Sequence, residues 1–277
     1  MLSNYKDIKS YAKINVGLKI LDLLPDGYHA VSTIMQEIDF YDLITIQPTE
    51  QLGIQITCTG PVSVPADDSN LCVKAAQLIF LNYNCKHGIH IFLNKNIPVG
   101  AGLGGGSSNA AHILCLLNKL FNLKINTFHL HQLAFQLGCD VPFFINSSNA
   151  WVEGKGEVLT NLYLEPCWFL MIFSNHSIIT KNIYDLVKIP DAEEIHNNYD
   201  DYLAGKTGNI FENIVFKKYP SIKKAHALLS EFGHARMSGT GGTVFLKLNS
   251  LEDAKKIMKS IPKNYRSLIV KSLTAEN

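Results

Sequence analysis

The chain has 277 residues, of which 47% are apolar and 18% charged, and its formal net charge is +1 at pH 7. This length allows one large domain or two domains of moderate size, each with its own core. The nearly neutral charge gives no general attraction to nucleic acid or membrane surfaces, so an anionic ligand must be bound by local groups. The longest apolar run, residues 167–173, is too short to span a bilayer, and the first residues lack the apolar core of a signal peptide. We therefore expect a cytoplasmic protein with no nucleic-acid or membrane partner.

The six cysteines lie far apart and form no C-x-x-C pair. This spacing argues against a structural zinc site. Because most of the cysteines have apolar neighbours in the sequence, we expect them to be reduced and buried.

The first hundred residues are rich in strand patterns. β-Branched and apolar residues recur in near alternation, and turn residues separate the runs. Only residues 69–83 have the period of a helix, which Ser69 or Asn70 can cap. The predicted strands cover residues 12–21, 32–48, 53–60 and 88–98.

Two helices are predicted after a glycine-rich loop. The first covers residues 107–123, and the second covers 127–138, with Thr127 as its cap and Gly138 at its end. Strand patterns restart near residue 150 and include the apolar run at 168–173. The later expectations are a solvated acidic segment at 191–202, a strand at 243–249 and helices at 221–233 and 251–261. The apolar face of the first helix consists of Ala110, Ile113, Leu114, Leu117 and Leu120.

The order of these elements predicts the fold class. Strands and helices occur without strict alternation, which favours an α+β fold with two lobes. We place the N-terminal lobe at residues 1–153 and the C-terminal lobe at residues 154–277.

The glycine-rich loop lies in the stretch IPVGAGLGGGSSNAA, residues 97–111, with five glycines in the seven positions 100–106. Gly100 and Gly105 have the spacing of a Walker A loop, but the lysine that must follow is missing. A dinucleotide fingerprint also matches, but it needs an acid about 20 residues further on, and the first acid is Asp140. The sequence therefore excludes both of these nucleotide-binding motifs.

A run of glycines still predicts an anion-binding loop. Without Cβ atoms, successive backbone N–H groups can point into one concavity. The loop leads into a helix, whose first N–H groups and positive dipole end favour a phosphate. Ser107, Ser108 and Asn109 add side-chain donors, and Lys95 lies just upstream. The alternative is a flexible glycine-rich turn that binds nothing.

Three stretches, in this chain order, resemble the motifs of the GHMP small-molecule kinases: SYAKINVGLKI (10–20), PVGAGLGGGSSNAA (98–111) and RMSGTGGTVF (236–245). The resemblance implies a two-lobed GHMP kinase fold, with an N-terminal lobe like ribosomal protein S5 domain 2 and a ferredoxin-like α/β C-terminal lobe. It also implies an ATP-dependent kinase that uses Mg²⁺ with the ATP and has an alcohol as acceptor.

Three further stretches narrow the resemblance to one branch of that family: DGYHAVSTIMQEIDFYD (26–42), LGCDVPFF (137–144) and VEGKGEVL (152–159). For that branch the implied substrate is a cytidyl-linked sugar alcohol, phosphorylated on its 2-hydroxyl in non-mevalonate isoprenoid precursor biosynthesis. Another GHMP kinase, of the mevalonate or homoserine type, and a non-catalytic nucleotide-binding protein on the same scaffold are the alternatives. We expect a monomer or a weak homodimer.

The resemblance also implies roles for individual residues. Asp140 matches the proposed catalytic base and Lys13 its partner, although Asp140 could instead be a turn residue before Pro142. A lysine inside the apolar strand 12–21 is a site candidate without the resemblance, because a buried ammonium needs an anionic partner. Tyr28 and His29 match the residues that engage cytosine, while Asn15, Thr180, Gly239 and Thr240 match other substrate contacts. The residues implied for ATP are Lys95, Pro98, Val99, Gly100, Ala101, Gly102, Leu103, Gly104, Gly105, Gly106, Ser107, Ser108 and Asn109.

Two assignments stay open in the sequence. The protein ligand of Mg²⁺ is unknown, because the helix after the loop contains no acid, and Ser107 is only a candidate. The stretch from Ser238 to Gly241 matches the third family motif near the phosphates, but it could also be a plain β-turn.

Overall fold

A computed structural model describes residues 5–146, 149–187, 201–202 and 207–274. The strands are β1 (Tyr5–Leu23), β2 (His29–Thr49), β3 (Ile54–Thr59), β4 (Gly88–Asn94), β5 (Ala150–Gly154), β6 (Val158–Asn161), β7 (Trp168–Phe173), β8 (Ala235–Met237), β9 (Thr243–Leu248) and β10 (Arg266–Lys271). The helices are α1 (Leu71–Asn82), α2 (Gly105–Leu120), α3 (Thr127–Leu137), α4 (Thr180–Tyr184), α5 (Glu212–Lys218), α6 (Pro220–Ser230) and α7 (Leu251–Met258), with a short 3₁₀ helix at Pro142–Ile145.

The described residues group into two compact units that alternate along the chain. Unit 1 takes the described residues of 1–12, 40–99 and 104–147, and unit 2 takes those of 13–39, 100–103 and 148–277. The long strands β1 and β2 therefore run through both units. The division into lobes at residue 153 stays a prediction.

Unit 1 is a sheet covered by helices. Strand β3 pairs in parallel with β4, with Ile56 opposite Ile91, and β4 pairs antiparallel with the second part of β2, with Ile44 opposite Leu93. Helix α2 packs against α1 and α3. The predicted apolar face of α2 is confirmed, because all five of its residues are buried.

Unit 2 contains two sheets. The first part of β2 pairs with β5, which pairs with β6, and a separate antiparallel sheet has the order β10-β7-β9-β8. Helix α6 packs on β8 and β9, and α7 packs on β7. The core of this unit includes Leu170, Ile172, Phe211, Leu229 and Val244. Together the two units confirm the α+β class.

Differences from the predicted elements occur mainly at their ends. Helix α3 is capped by the side chain of Asn126, which accepts a hydrogen bond from His129 N, and the prediction of Thr127 as the cap was wrong. Asn70 caps α1 by accepting from Cys72 N. Helix α2 begins two residues before the predicted start, inside the glycine run. Strands β8 and β10 and helices α4 and α5 were not predicted, because such short runs carry little periodicity.

Parts of two other expectations also change. The acidic segment 191–202 lies outside the described residues except for its last two positions, and Tyr202 there is buried rather than solvated. The cysteines, all within the described residues, form no disulfide, but only Cys72 and Cys167 are buried and the other four are half-buried. Among the helices that the structure describes, none is long and apolar enough to cross a membrane.

Glu37 is a buried acid in β2. Its residue is 4% exposed, and its Oε1 has no hydrogen-bond partner among the described residues. Burial raises the pKa of this carboxyl from 4.5 to about 7, because a charged group loses its hydration there. The folded state therefore keeps a proton on Glu37 at pH values where the unfolded chain has lost it.

This difference predicts a pH-dependent gain from Glu37→Gln. Because the folded pKa lies above the unfolded one, Glu37 lowers stability progressively as pH rises from about 4.5 through 7. We expect Glu37→Gln to raise the free energy of unfolding by about 2 kcal/mol at pH 8 and to have little effect at pH 4. Urea unfolding at both pH values measures it, with the exposed Glu50→Gln as the control. An equal effect at both pH values would contradict the prediction.

Candidate active site

The first half of the glycine loop is held in unit 2 through its carbonyl groups. Gly100 O accepts from Ile178 N at 2.9 Å, and Ala101 O accepts from Thr243 N at 3.2 Å. Gly102 O accepts from the Ser238 hydroxyl at 2.7 Å. An anion is repelled by carbonyl oxygens and attracted by N–H groups, so this orientation is the one that an anion-binding loop requires.

Glycine is required in this half of the loop by the close approach of other backbone. Gly102 has a φ of +74°, and a Cβ atom on it would lie 2.1 Å from Ser238 O. Gly100 has a φ of +65°, and its Cβ would lie 2.8 Å from Ile178 N. A side chain at either position would displace the contacts that orient the loop.

The loop and the third glycine motif are joined by one hydroxyl. Ser238 Oγ donates to Gly102 O and accepts from Asn15 N at 3.0 Å. The side chain of Asn209 also supports the motif, because its Nδ2 donates hydrogen bonds to the carbonyls of Met237 and Gly239, both at 2.7 Å. Gly241 N donates to Ser238 O at 2.9 Å, so residues 238–241 form a β-turn, and its place near the phosphates stays a prediction. Asn209 was not among the predicted site residues.

Lys13 lies beside this loop within unit 2. The residue is 3% exposed, and its Nζ donates to Asn15 Oδ1 at 2.5 Å and to Gly102 O at 3.4 Å. Asn15 Nδ2 in turn donates to Thr33 Oγ1 at 2.9 Å. The structure thus brings two predicted site residues, Lys13 and Asn15, to the carbonyl side of the glycine loop.

Asp140 belongs to unit 1, in a turn between α3 and the 3₁₀ helix. Val141 N donates to Gly138 O at 3.1 Å and closes the turn, and Asp140 itself is half-buried. Its role as the base stays a prediction.

The predicted substrate residues form two groups in unit 2. Thr180 Oγ1 and Thr240 Oγ1 are 3.3 Å apart, and Asn15 Oδ1 lies 3.1 Å from the Cβ position of Gly239. The second group contains Tyr28, which is 55% exposed, and His29, whose ring centroid is 5.4 Å from that of Tyr184. Tyr184 was not predicted as a site residue.

The second half of the loop leads into α2, whose first turn rests on a buried polar cluster in unit 1. Lys95 forms an ion pair with Asp42, and both residues are almost fully buried. Lys95 Nζ also donates to Asn109 Oδ1 at 2.9 Å. Asn109 Nδ2 donates to Ser10 Oγ at 2.9 Å and to Asp42 Oδ2 at 3.0 Å, and the hydroxyls of Ser10 and Ser108 are 2.8 Å apart.

This cluster gives Lys95 and Asn109 a structural partner. Asp42 neutralises the ammonium of Lys95, and its other oxygen accepts from the backbone N–H groups of Asn96 and Ile97 at 2.7 and 2.9 Å. Asp42 was not predicted as a functional residue, because in the sequence it is a single acid within a predicted strand. The contact of Lys95 with a nucleotide stays a prediction. Of the other predicted ATP residues, Val99 is exposed and Ser107 is half-buried.

Comparison with known proteins decides the family. Residues 70–148 match the family model of the GHMP kinases N terminal domain, and residues 190–267 match that of the GHMP kinases C terminal domain. The chain is also 36% identical over 271 residues to the 4-diphosphocytidyl-2-C-methyl-D-erythritol kinase of Colwellia psychrerythraea, a match that covers 96% of this chain and 90% of that protein. The chain belongs to the GHMP kinase family.

Further relatives of this GHMP kinase carry the same name. The kinase of the same name from Buchnera aphidicola is 36% identical, over 95% of this chain and 92% of that protein. A crystal structure of 4-(cytidine 5'-diphospho)-2C-methyl-D-erythritol kinase superposes with a TM-score of 0.82 at 27% identity, covering 96% of this chain and 98% of that one. The Methanococcus jannaschii mevalonate kinase, at 16% identity and a TM-score of 0.68 with 99% of each chain covered, shares the fold. The protein is an ATP-dependent small-molecule kinase, as the resemblance implied.

Removal of the Asp42 carboxylate is predicted to cause a large loss of stability, and a second substitution at Lys95 should restore part of it. Asp42→Ala leaves the Lys95 ammonium buried without its carboxylate, which should lower the free energy of unfolding by about 3–5 kcal/mol. Adding Lys95→Met removes the uncompensated charge and should recover about half of that loss. Urea unfolding of the single and double variants measures both effects, with Asp39→Ala, an exposed residue of the same strand, as the control. A double variant that loses the sum of the two single losses would contradict the prediction.

Proposed function

We propose that this kinase transfers the γ-phosphoryl group of ATP to the 2-hydroxyl of 4-diphosphocytidyl-2-C-methyl-D-erythritol, a step of non-mevalonate isoprenoid precursor biosynthesis. Phosphoryl transfer is supported chiefly by the glycine loop. Its carbonyls at Gly100, Ala101 and Gly102 accept hydrogen bonds from other segments of the protein. The choice of acceptor is supported by relatives of that name at 36% identity over nearly the whole chain.

The phosphates of ATP are proposed to bind along residues 98–109. Backbone N–H groups of the loop and of the first turn of α2 would hold them, since no Walker lysine is present. Mg²⁺ is expected with ATP, where it would neutralise phosphate charge. The Ser107 hydroxyl remains the candidate protein contact. Among the described residues, no group of three or more His, Cys, Asp or Glu could hold a metal ion.

Asp140 and Lys13 are proposed to carry the chemistry. In phosphoryl transfer the protein mainly positions the acceptor hydroxyl, removes its proton and stabilises the developing charge. The Asp140 carboxylate would accept the hydroxyl proton as general base. The ammonium of Lys13 would stabilise charge, and its hydrogen bonds to Asn15 and Gly102 fix its position in unit 2.

The substrate is proposed to bind through two groups of residues. Tyr28 and His29 are proposed to bind the cytosine, because an aromatic ring can stack on a base and an imidazole can form hydrogen bonds with the edge of the base. Asn15, Thr180, Gly239 and Thr240 are assigned to the other polar groups of the substrate, in keeping with their mutual contacts in unit 2.

Two alternatives lead to different measurements. A mevalonate- or homoserine-type kinase would have no use for a cytidyl group, and solved structures of those kinases share only the fold with this chain, at about 16% identity. A non-catalytic nucleotide-binding protein would bind ATP without turnover.

Competition by cytidine nucleotides tests the acceptor. Because the cytosine end is proposed to contribute binding, CMP and CDP should inhibit competitively against the acceptor and not against ATP. Initial rates at several acceptor and ATP concentrations measure this pattern, with UMP as the matched control. An absence of inhibition, or equal inhibition by UMP, would remove the cytidyl substrate from the proposal.

Replacement of the proposed base should separate catalysis from binding. Asp140→Asn keeps the shape of the side chain but cannot accept the hydroxyl proton, so we expect kcat to fall by about 10²–10⁴-fold. The dissociation constant of ATP should change by less than about twofold, since the loop holds the phosphates. Steady-state turnover and equilibrium ATP binding measure the two quantities, and the exposed Asp68→Asn is the control. Unchanged turnover would refute the role of Asp140.

A further inference from the structure

The turn before β2 holds Tyr28 in a closed backbone arrangement. Leu24 N donates to Tyr28 O at 2.7 Å, and Gly27 N donates to Leu24 O at 2.9 Å. Asp26 Oδ1 accepts from Tyr28 N at 3.2 Å. Gly27 has a φ of +83°, which the turn needs and other residues rarely adopt. The backbone that carries the Tyr28 ring is therefore fixed at several points.

A second turn lies beside it because of the sheet register. Strand β5 pairs with β2 so that Gly154 is opposite Val31, and β5 continues into β6 through the turn Gly-Lys-Gly-Glu at 154–157. Glu157 Oε2 accepts from Lys155 N at 2.5 Å and closes this turn. The register thus places Lys155 at the tip of a hairpin next to the turn that carries Tyr28.

Lys155 connects the two turns. Its ammonium forms an ion pair with Asp26 Oδ2 and lies 5.2 Å from the centroid of the Tyr28 ring. The Asp26 carboxylate therefore bonds the Tyr28 backbone with one oxygen and Lys155 with the other. The hydrogen bond from Lys155 holds the pKa of the Asp26 carboxyl below its usual value.

More than half of Tyr28 is exposed, so a ligand can reach the residue. Tyr28 is 55% exposed, and the Lys155 ammonium is its only ring partner among the residues that the structure describes. The attraction between an ammonium and the face of a tyrosine ring favours the ring orientations that keep the two groups in contact. A restricted ring loses less conformational entropy when a base stacks on its other face.

We propose that Lys155 is a positioning residue that determines affinity for the nucleobase end of the substrate, by holding the Tyr28 ring through the ion pair with Asp26 and the cation–π contact. The proposal rests on the proposed function, since it needs the base to bind at Tyr28. It goes further in assigning a role to Lys155 and Asp26. Because neither residue takes part in phosphoryl transfer, the role affects binding of the acceptor and leaves turnover alone.

Substitution of Lys155 tests the proposal. Lys155→Met removes the charge and keeps most of the length of the side chain. We expect the KM of the cytidyl acceptor and the inhibition constant of CMP to rise together by about threefold to tenfold. The kcat and the KM of ATP should stay within about twofold. Asp26→Asn, which keeps an oxygen for Tyr28 N, should give a smaller rise, and Lys155→Arg should restore the wild-type values.

The controls separate this proposal from the one on which it rests. Lys224→Met, at an exposed position on α6, should change none of these constants. If the wild-type enzyme does not phosphorylate the cytidyl acceptor, or CMP does not compete, the proposed function fails. If both occur and Lys155→Met has the wild-type inhibition constant for CMP, the role of Lys155 is overturned. An equal rise in the KM of ATP would also overturn it, because the lysine would then act on the fold as a whole.

Discussion

The hydrogen bond from the Ser238 hydroxyl to Gly102 O is the contact on which the glycine loop most depends. A loop that binds an anion through N–H groups must direct its carbonyls toward protein, and this bond directs one of them. The same hydroxyl accepts a hydrogen bond from the backbone N–H of Asn15. The side chain of Asn15 in turn accepts a hydrogen bond from the ammonium of Lys13. The side chain of Ser238 therefore connects three segments that are far apart in sequence. A Cβ atom at Gly102 would meet Ser238 O, so the contact also explains why glycine occupies that position.

Buried charges are used differently in the two units. In unit 1, Lys95 and Asp42 are paired and hydrogen-bonded, which offsets the cost of burying both charges while the cluster secures the first turn of α2. In unit 2, the ammonium of Lys13 lies at the edge of the loop among oxygen atoms of Asn15 and Gly102. The first arrangement suits a structural role. The second places the ammonium of Lys13 on the carbonyl side of the loop, near the proposed position of the phosphates.

Prediction from the sequence succeeded where the signal was long and periodic. The period of α2 identified its buried face, and the alternation in β1 and β2 identified both strands. It failed at the cap of α3, where Asn126 and Thr127 are both good capping residues and only backbone geometry separates them. It failed for Asp42 because the partner of that carboxylate, Lys95, lies 53 positions further along the chain. Local patterns contain no information about such a pairing.

The sequence alone determined the class of fold, the anion-binding character of the glycine loop and the family, because each depends on residue type and short spacing. Only the tertiary structure decided which groups support the loop, since Ser238 and Asn209 reach it from distant segments. It also decided that Lys95 is neutralised by Asp42 and that Lys155 lies over Tyr28. The physical reason is the same in each case: a hydrogen bond or ion pair depends on the distance between atoms, and strand register and packing set that distance.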